Sequence, residues 1–233
     1  MSLWKETLEL QHNQEQLLLN IGCTDSLNIA VFVPLYDKIL MNYPHLDLSI
    51  QSHHSSELYG MLSEHNIDIG FVYHQLHYKN IISEKLFEEK LYLVQSEHPT
   101  VEKPIVHTDE LDPTKELFLS WDDNFQIWHD RWLSSVSRPH ISADTITLLD
   151  RLWKNADTWM IAPESVIHEL SRYRKVYVSE LKNPAPNRIC YKIKHKYPKT
   201  TSKRAVELFE EILEQLLHLE RKEIPIGEIW GGQ

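Results

Sequence analysis

Four short segments place hydroxyl, imidazole, carboxylate or indole groups directly after apolar runs: Cys23-Thr24-Asp25-Ser26, Ser52-His53-His54-Ser55, Tyr73-His74 and Trp121-Asp122-Asp123-Asn124. The last is expected to be faced by Ala162-Pro163-Glu164. In an open α/β sheet such positions lie beyond the carboxyl ends of strands, where helix N-termini offer free N–H groups and a partial positive charge. The chemistry this supports is reversible hydrogen bonding to a small molecule. Ser, Thr and Asp at helix starts also act as caps, so each position has a purely structural use as well.

Other chemistries find less support. His53-His54 and His74-Gln75-Leu76-His77 could hold a metal, but chance pairs are expected among 14 histidines. No Cys or carboxylate stands around them at zinc-finger spacing, so they read as solvated loops. Cys23, at an expected helix N-terminus, could carry a lowered thiol pKa and sense oxidants. No Gly-x-Ser-x-Gly elbow, phosphate-cradling glycine loop or His-Glu-x-x-His helix is present. Asp122 and Asp123 are adjacent and do not flank a substrate as an acid and a base must; they are expected to start a helix. The reading is of a chain that is not an enzyme and needs no cofactor or metal.

With 233 residues the chain can bury a sizeable core in one large domain or two small ones. A net charge of -10 argues against direct contact with nucleic acid. The one basic patch, Lys192-Ile193-Lys194-His195-Lys196, alternates with apolar residues like the edge of a sheet. Two cysteines far apart in sequence point to a reducing, cytoplasmic compartment. No apolar run approaches the roughly 18 residues of a membrane helix, so a soluble protein is expected.

The elements that must position these groups follow from periodicity. Leu19-Asn20-Ile21-Gly22 reads as a strand, followed by a helix with Leu27, Val31, Leu35 and Ile39 on one face and Phe32, Tyr36 and Leu40 beside them. Pro34 is expected to kink that helix without ending it. Leu46, Leu48 and Ile50 alternate with polar residues as in a strand, Ser55 or Ser56 can cap the next helix, and Ile67-Asp68-Ile69-Gly70 gives a third strand. A hairpin-like pair follows at 81–86 and 91–94. A second α/β series then runs through Leu117-Phe118-Leu119-Ser120, a helix near 145–154 and a strand at Trp159-Met160-Ile161. A return strand at 189–193 leads to a helix that Ser202 can cap, with Val206, Phe209, Leu213, Leu216 and Leu217 inside. The order of strands and helices implies a parallel α/β fold.

In order and spacing these segments resemble the effector-binding (substrate-binding) domain of LysR-type transcriptional regulators over nearly the whole chain after about residue 18. The carriers are Leu19-Asn20-Ile21-Gly22, Pro34-Leu35 with Tyr43-Pro44, Ser55-Ser56-Glu57-Leu58, Ile67-Asp68-Ile69-Gly70, Glu89-Lys90-Leu91-Tyr92-Leu93-Val94 with His98-Pro99, and Met160-Ile161-Ala162-Pro163. The resemblance implies two Rossmann-like α/β subdomains joined by two crossover strands, a periplasmic-binding-protein-like fold of type 2. Subdomain I would comprise 18–94 and 195–221 and subdomain II 95–194. Residues 1–17 would be the end of a linker helix or an added leader, and 222–233 a tail that docks on a neighbour or stays disordered.

By the same resemblance a small effector binds between the subdomains, and Thr24, Ser26, Ser55 and Trp121, with His53, Tyr73 and Pro163, are the expected contacts. Asp25 weighs against the small organic acid the family implies, because its carboxylate would compete for the N–H groups at its own helix start; His53 and His54 would offset it if near. A peroxide-sensing regulator of this family carries a closely spaced cysteine pair that this sequence lacks. The family also implies a homodimer or tetramer, with the first long helix packing on a partner's second subdomain, where Leu148, Leu149, Leu152 and Trp153 would suit. DNA contact would belong to an N-terminal winged helix-turn-helix absent from these residues. The rival readings are a free-standing solute-binding protein serving a transporter and an enzyme of the same two-lobed shape.

Overall fold

The computed structural model describes residues 16–96, 99–133, 139–217 and 224–229. Most of the segment expected to be a linker helix or leader lies outside them. The chain folds into two lobes, each around its own sheet. In lobe I the strands β1 (Leu17–Cys23), β2 (Leu46–Ser52), β3 (Ile69–Val72), β4 (Ile81–Glu89) and β11 (Arg188–His195) lie in the order β2-β1-β3-β11-β4. β2, β1 and β3 run parallel, while β11 is antiparallel to both its neighbours. β1 is an inner strand, and Leu17, Leu19, Ile21 and Cys23, which alternate onto one face, are all buried, while Leu18 on the other is 53% exposed.

After β1 the chain is helical from α1 (Asp25–Leu27) through a π-helical segment at Asn28–Phe32 into α2 (Val33–Asn42). The expected kink is thus accommodated by wide turns directly before Pro34, where the Val33 N–H reaches back to the Asn28 carbonyl. The wider turns rotate the stripe. Leu27, Phe32, Leu35, Tyr36 and Ile39 are buried, whereas Val31 is only partly covered and Leu40 is exposed, against the plain helical reading.

α3 (Ser55–Ser63) lies close on the sheet beside Gly22 and Gly70, which are register partners across β1 and β3. A Cβ on Gly22 would stand 2.5 Å from Leu58 Cδ2 and 2.6 Å from Ile67 Cδ1. Gly60, inside α3, has nothing within 4 Å of a built Cβ. Gly22→Ala is therefore expected to cost about 1–3 kcal/mol by overpacking, and Gly60→Ala to add about 0.5–1 kcal/mol by restricting the unfolded chain. Denaturant midpoints at unchanged slope would check both signs.

The basic patch behaves as sheet structure. Lys192 and Lys194 on β11 both reach Glu210 of α7 (Lys203–Leu217), Lys194 at 2.8 Å, and Lys192 also meets Glu84 at 3.0 Å. α7 buries Val206, Phe209, Ile212 and Leu213 against lobe I.

Lobe II holds β5 (Leu91–Ser96), β6 (Ile105–Val106), β9 (Trp159–Pro163), β10 (Val176–Leu181) and β12 (Gly227–Ile229), with a two-stranded parallel pair, β7 (Leu117–Phe118) and β8 (Ile141–Ser142), beside them. The helices α4 (Asp123–Trp132), α5 (Ile146–Leu152) and α6 (Glu164–Ser171) belong to this lobe.

Three sequence expectations change here. β4 and β5 do not form a hairpin: they lie in different sheets with only Lys90 between them, and Glu89-Lys90 carries none of the Gly or Asn turn chemistry a hairpin needs. By sheet membership the chain therefore crosses between lobes at Lys90 and between Leu181 and Arg188, rather than at 94–95 and 194–195. The tail returns to lobe II, where β12 pairs antiparallel with Val176–Val178 of β10 and Ile224 is buried. The Leu148-to-Trp153 stripe splits: Leu149 and Trp153 are core, while Leu148 and Leu152 are 46% and 43% exposed.

Candidate functional site

The parallel strands of lobe I end at a cleft of about 850 Å3 between the lobes. One wall follows from strand ends of lobe I: Thr24, Asp25 and Ser26 after β1, Ser52 to Ser55 at the end of β2 and beyond, and Tyr73 after β3. The other wall comes from lobe II, with Phe118 to Trp121 after β7 and Ser142 to Ile146 after β8. Arg188, the first residue of β11, also lines it. The first wall is polar; the second is largely apolar.

Six expected contacts, Thr24, Ser26, His53, Ser55, Tyr73 and Trp121, are brought together on this cleft. Pro163 is not among its lining residues. It is the buried last residue of β9, paired with Leu91 and standing at the N-cap of α6. Thr24 is extended and caps nothing, and its Oγ1 is buried without a hydrogen-bond partner among the described residues. Ser55 Oγ accepts the Tyr73 N–H at 3.2 Å, tying the start of α3 to the end of β3. The cap of α3 is His54 rather than a serine, and Glu57 Oε2 accepts its N–H at 3.1 Å. Glu57 Oε2 also stands 3.5 Å from His53 Nδ1. The Trp121 indole N–H donates to the Ile161 carbonyl at 2.7 Å, so its polar end is spent inside lobe II. Asp122 does start a helix: its Oδ1 accepts the Phe125 N–H at 2.8 Å.

Asp25 does not compete for the N–H groups of its own helix. Its carboxylate reaches across the cleft and accepts the Thr147 hydroxyl at 3.1 Å, with the Thr147 amide at 3.4 Å, in the first turn of α5. A second polar contact between the lobes joins His74 to Asp123 at 3.6 Å. The expected competition for those N–H groups is thus absent, and Asp25 serves as a bridge between the lobes while its charge stays on the cleft wall.

Cys23 is fully buried at the end of β1, and its thiol donates to Asn28 Oδ1 at 2.7 Å. Burial pushes this thiol well above its ordinary pKa, which outweighs the opposing hydrogen bond to Tyr36. The easily oxidised thiolate expected at a helix N-terminus is therefore disfavoured. Asn28 also accepts from Tyr36 Oη at 2.8 Å and donates to Ser52 Oγ at 2.7 Å, so it braces the cleft wall from behind. Sequence reasoning missed this role, since an Asn within a helix gives no local signal of its partners.

Arg188 was missed for the same reason. Its side chain is 3% exposed and lies opposite Glu89, its register partner on β4, at 3.7 Å between Nη1 and Oε1. Glu89 in turn accepts the Tyr73 hydroxyl at 2.8 Å and the Ser165 N–H of α6 at 3.0 Å. Burial and the Glu89 charge push the Tyr73 phenol well above its ordinary pKa, with Arg188 opposing. Among the described residues no group of three or more His, Cys, Asp or Glu is placed to hold a metal ion.

Two α/β lobes linked by two crossings, with a cleft between them lined from both sides, define a ligand-binding domain of the two-lobed, periplasmic-binding-protein-like class. The model of the LysR substrate binding domain matches residues 12–217, and the chain belongs to that family. The HTH-type transcriptional regulator CzcR of Bacillus anthracis is 22% identical over 163 residues, covering 69% of this chain and 54% of that protein. The chain thus spans about half the length of that curated relative. Among solved structures, the reduced OxyR regulatory domain from Pseudomonas aeruginosa superposes with a TM-score of 0.71 at 16% identity, covering 89% of this chain and 99% of that one. The BenM effector binding domain with its effector benzoate gives 0.68 at 17% identity, covering 91% and 97%. Among the described residues no helix is long and apolar enough to cross a membrane.

Proposed function

We propose that this chain is the sensing part of a cytoplasmic transcriptional regulator, in which a small metabolite, an organic acid, binds in the cleft and biases the tilt of the two lobes. The observation that carries this is the cleft itself, whose walls come from separate sheets, so that a ligand touching both has a different affinity for each relative arrangement. Only such differential affinity lets a ligand shift an equilibrium. The shift would pass to an N-terminal winged helix-turn-helix outside these residues, and DNA would be contacted there. The polar lining, with hydroxyls of Thr24, Ser26 and Ser55, imidazoles of His53 and His54, carboxylates and one guanidinium, suits reversible hydrogen bonding to a small molecule.

A homodimer, or a tetramer built from it, is part of the same reading. Val33, Leu40 and Met41 on α2 are exposed, as are Leu148 and Leu152 on α5, and these apolar side chains offer a surface for the packing of one chain's helix on another's second lobe. Sedimentation of the wild type and of Met41→Glu would test it.

The cleft is tested by thermal melting against small organic acids, amino acids, aromatic acids, sugars and divalent metals, repeated with Thr24→Val. A ligand at about a hundred times its Kd adds roughly 2.7 kcal/mol, which at this size is several degrees. Thr24→Val replaces an unpartnered buried hydroxyl by an apolar isostere. It is expected to leave the unliganded midpoint unchanged or slightly raised and to weaken the ligand by about 0.5–1.5 kcal/mol, roughly 2- to 13-fold. Silence across the panel, or a ligand untouched by Thr24→Val and Ser55→Ala alike, would sink this site.

A further inference from the structure

Arg188 is a buried cation with donors to spare. Its Nε and Nη1 have no hydrogen-bond partner among the described residues, and Nη2 reaches only the Trp121 carbonyl at 3.4 Å. The Tyr73 and Trp121 rings pack against the guanidinium, with centroids 3.4 Å and 4.7 Å from Cζ. Hydrogen bonding is therefore left to its edge. Glu89 does not fill that edge: at 3.7 Å it is an ion pair too long for a hydrogen bond, and its oxygens are held by Tyr73 and Ser165. A guanidinium 3% exposed with unpaired N–H groups is costly to the protein unless something occupies them. Arg188 is also the only lysine or arginine among the described residues lining the cleft.

We infer that Arg188 is an anion-reading residue of the cleft and that the ligand it selects is a small carboxylate with a flat apolar body. The inference rests on the cleft being the ligand site and names what that site discriminates. The carboxylate takes the free edge of Arg188, while the body lies against the apolar wall of Phe118, Leu119, Ala143 and Ile146. Hydroxyls of Thr24 and Ser26 meet the ligand's remaining polar edge. Three carboxylates line the cleft with Arg188: Asp25 and Glu57 are engaged by Thr147 and by the His54 amide, and Asp144 is exposed on the lobe II wall.

The test uses matched pairs that differ only in charge: acetate and acetamide, benzoate and benzamide, phenylacetate and phenylacetamide. Their affinities are measured by calorimetry on the wild type, on Glu89→Gln, and on the double variant Arg188→Met with Glu89→Gln, which removes both charges at similar volume. At least one acid is expected to bind about tenfold or more tightly than its amide. That preference should persist or grow in Glu89→Gln and vanish in the double variant, whose fold is checked by circular dichroism. Equal affinity of acid and amide, an acid preference that survives in the double variant, or no acid binding at tens of millimolar would overturn the assignment. Neutral ligands whose binding falls with Thr24→Val but not in the double variant would overturn it while leaving the cleft as the sensing site.

Discussion

Arg188→Met alone is expected to lower stability by about 3–5 kcal/mol, because it strands a carboxylate in a site built around two opposite charges. Glu89 is 4% exposed and cannot turn to water, since it is bound to the Tyr73 hydroxyl and to the Ser165 amide at the start of α6. At this chain length the loss corresponds to roughly 6–20 °C in the melting midpoint. Adding Glu89→Gln should recover most of it, because the amide carries no charge, can turn its oxygen to the Ser165 N–H and can donate to the Tyr73 hydroxyl oxygen. A double-mutant cycle on denaturant midpoints measures this recovery. Additive losses would mean that the two side chains are not coupled.

Phe32→Ala should cost a similar amount, about 3–5 kcal/mol, through cavity formation. Phe32 is fully buried, with its ring centroid 4.5 Å from that of Phe71 and 6.2 Å from that of Tyr36, and Phe71 continues to Phe209 at 6.0 Å. This aromatic row joins the helical run, β3 and α7, so its loss loosens three elements of lobe I together. Phe32→Leu refills much of the volume and is expected to cost less than half as much. Equal losses for both substitutions would show that ring geometry outweighs volume.

Much of lobe I was legible because its strands alternate and its helices carry stripes. Leu19 and Ile21 announce β1, although the strand also takes in Leu17, which was expected in the leading helix, and the polar residues just beyond β1, β2 and β3 fall on the cleft because parallel strands end on one side. What could not be read depends on distance or on a missing turn signal. The π segment before Pro34 shifts the buried set from Val31 to Phe32, and a period of 3.6 residues cannot foresee it. Arg188 and Glu89 are partners only because two strands remote in sequence lie in register. Pro163 was misplaced because a strand end was taken for a cleft wall, whereas β9 delivers it into the pairing with Leu91. The tail was unreadable because Ile224 and β12 find their place only on a lobe assembled from a distant part of the chain.

Glu89 and Arg188 are also the last and first residues of the two strands that leave and re-enter lobe I, and they sit side by side. Lobe II is therefore mounted at two adjacent points, as a door is on a pair of hinge pins. Swinging about the line through those points leaves the eight-pair ladder of β4 and β11 intact, because both strands belong to lobe I. The bulge between Cys190 and Tyr191 gives that ribbon a place to bend close to the pins. Asp25 and Thr147, on the far rim, act as the latch that a swing must open. Under the proposed sensing role, a swing about those two points would change the angle between the lobes more than the distance between them at the crossings.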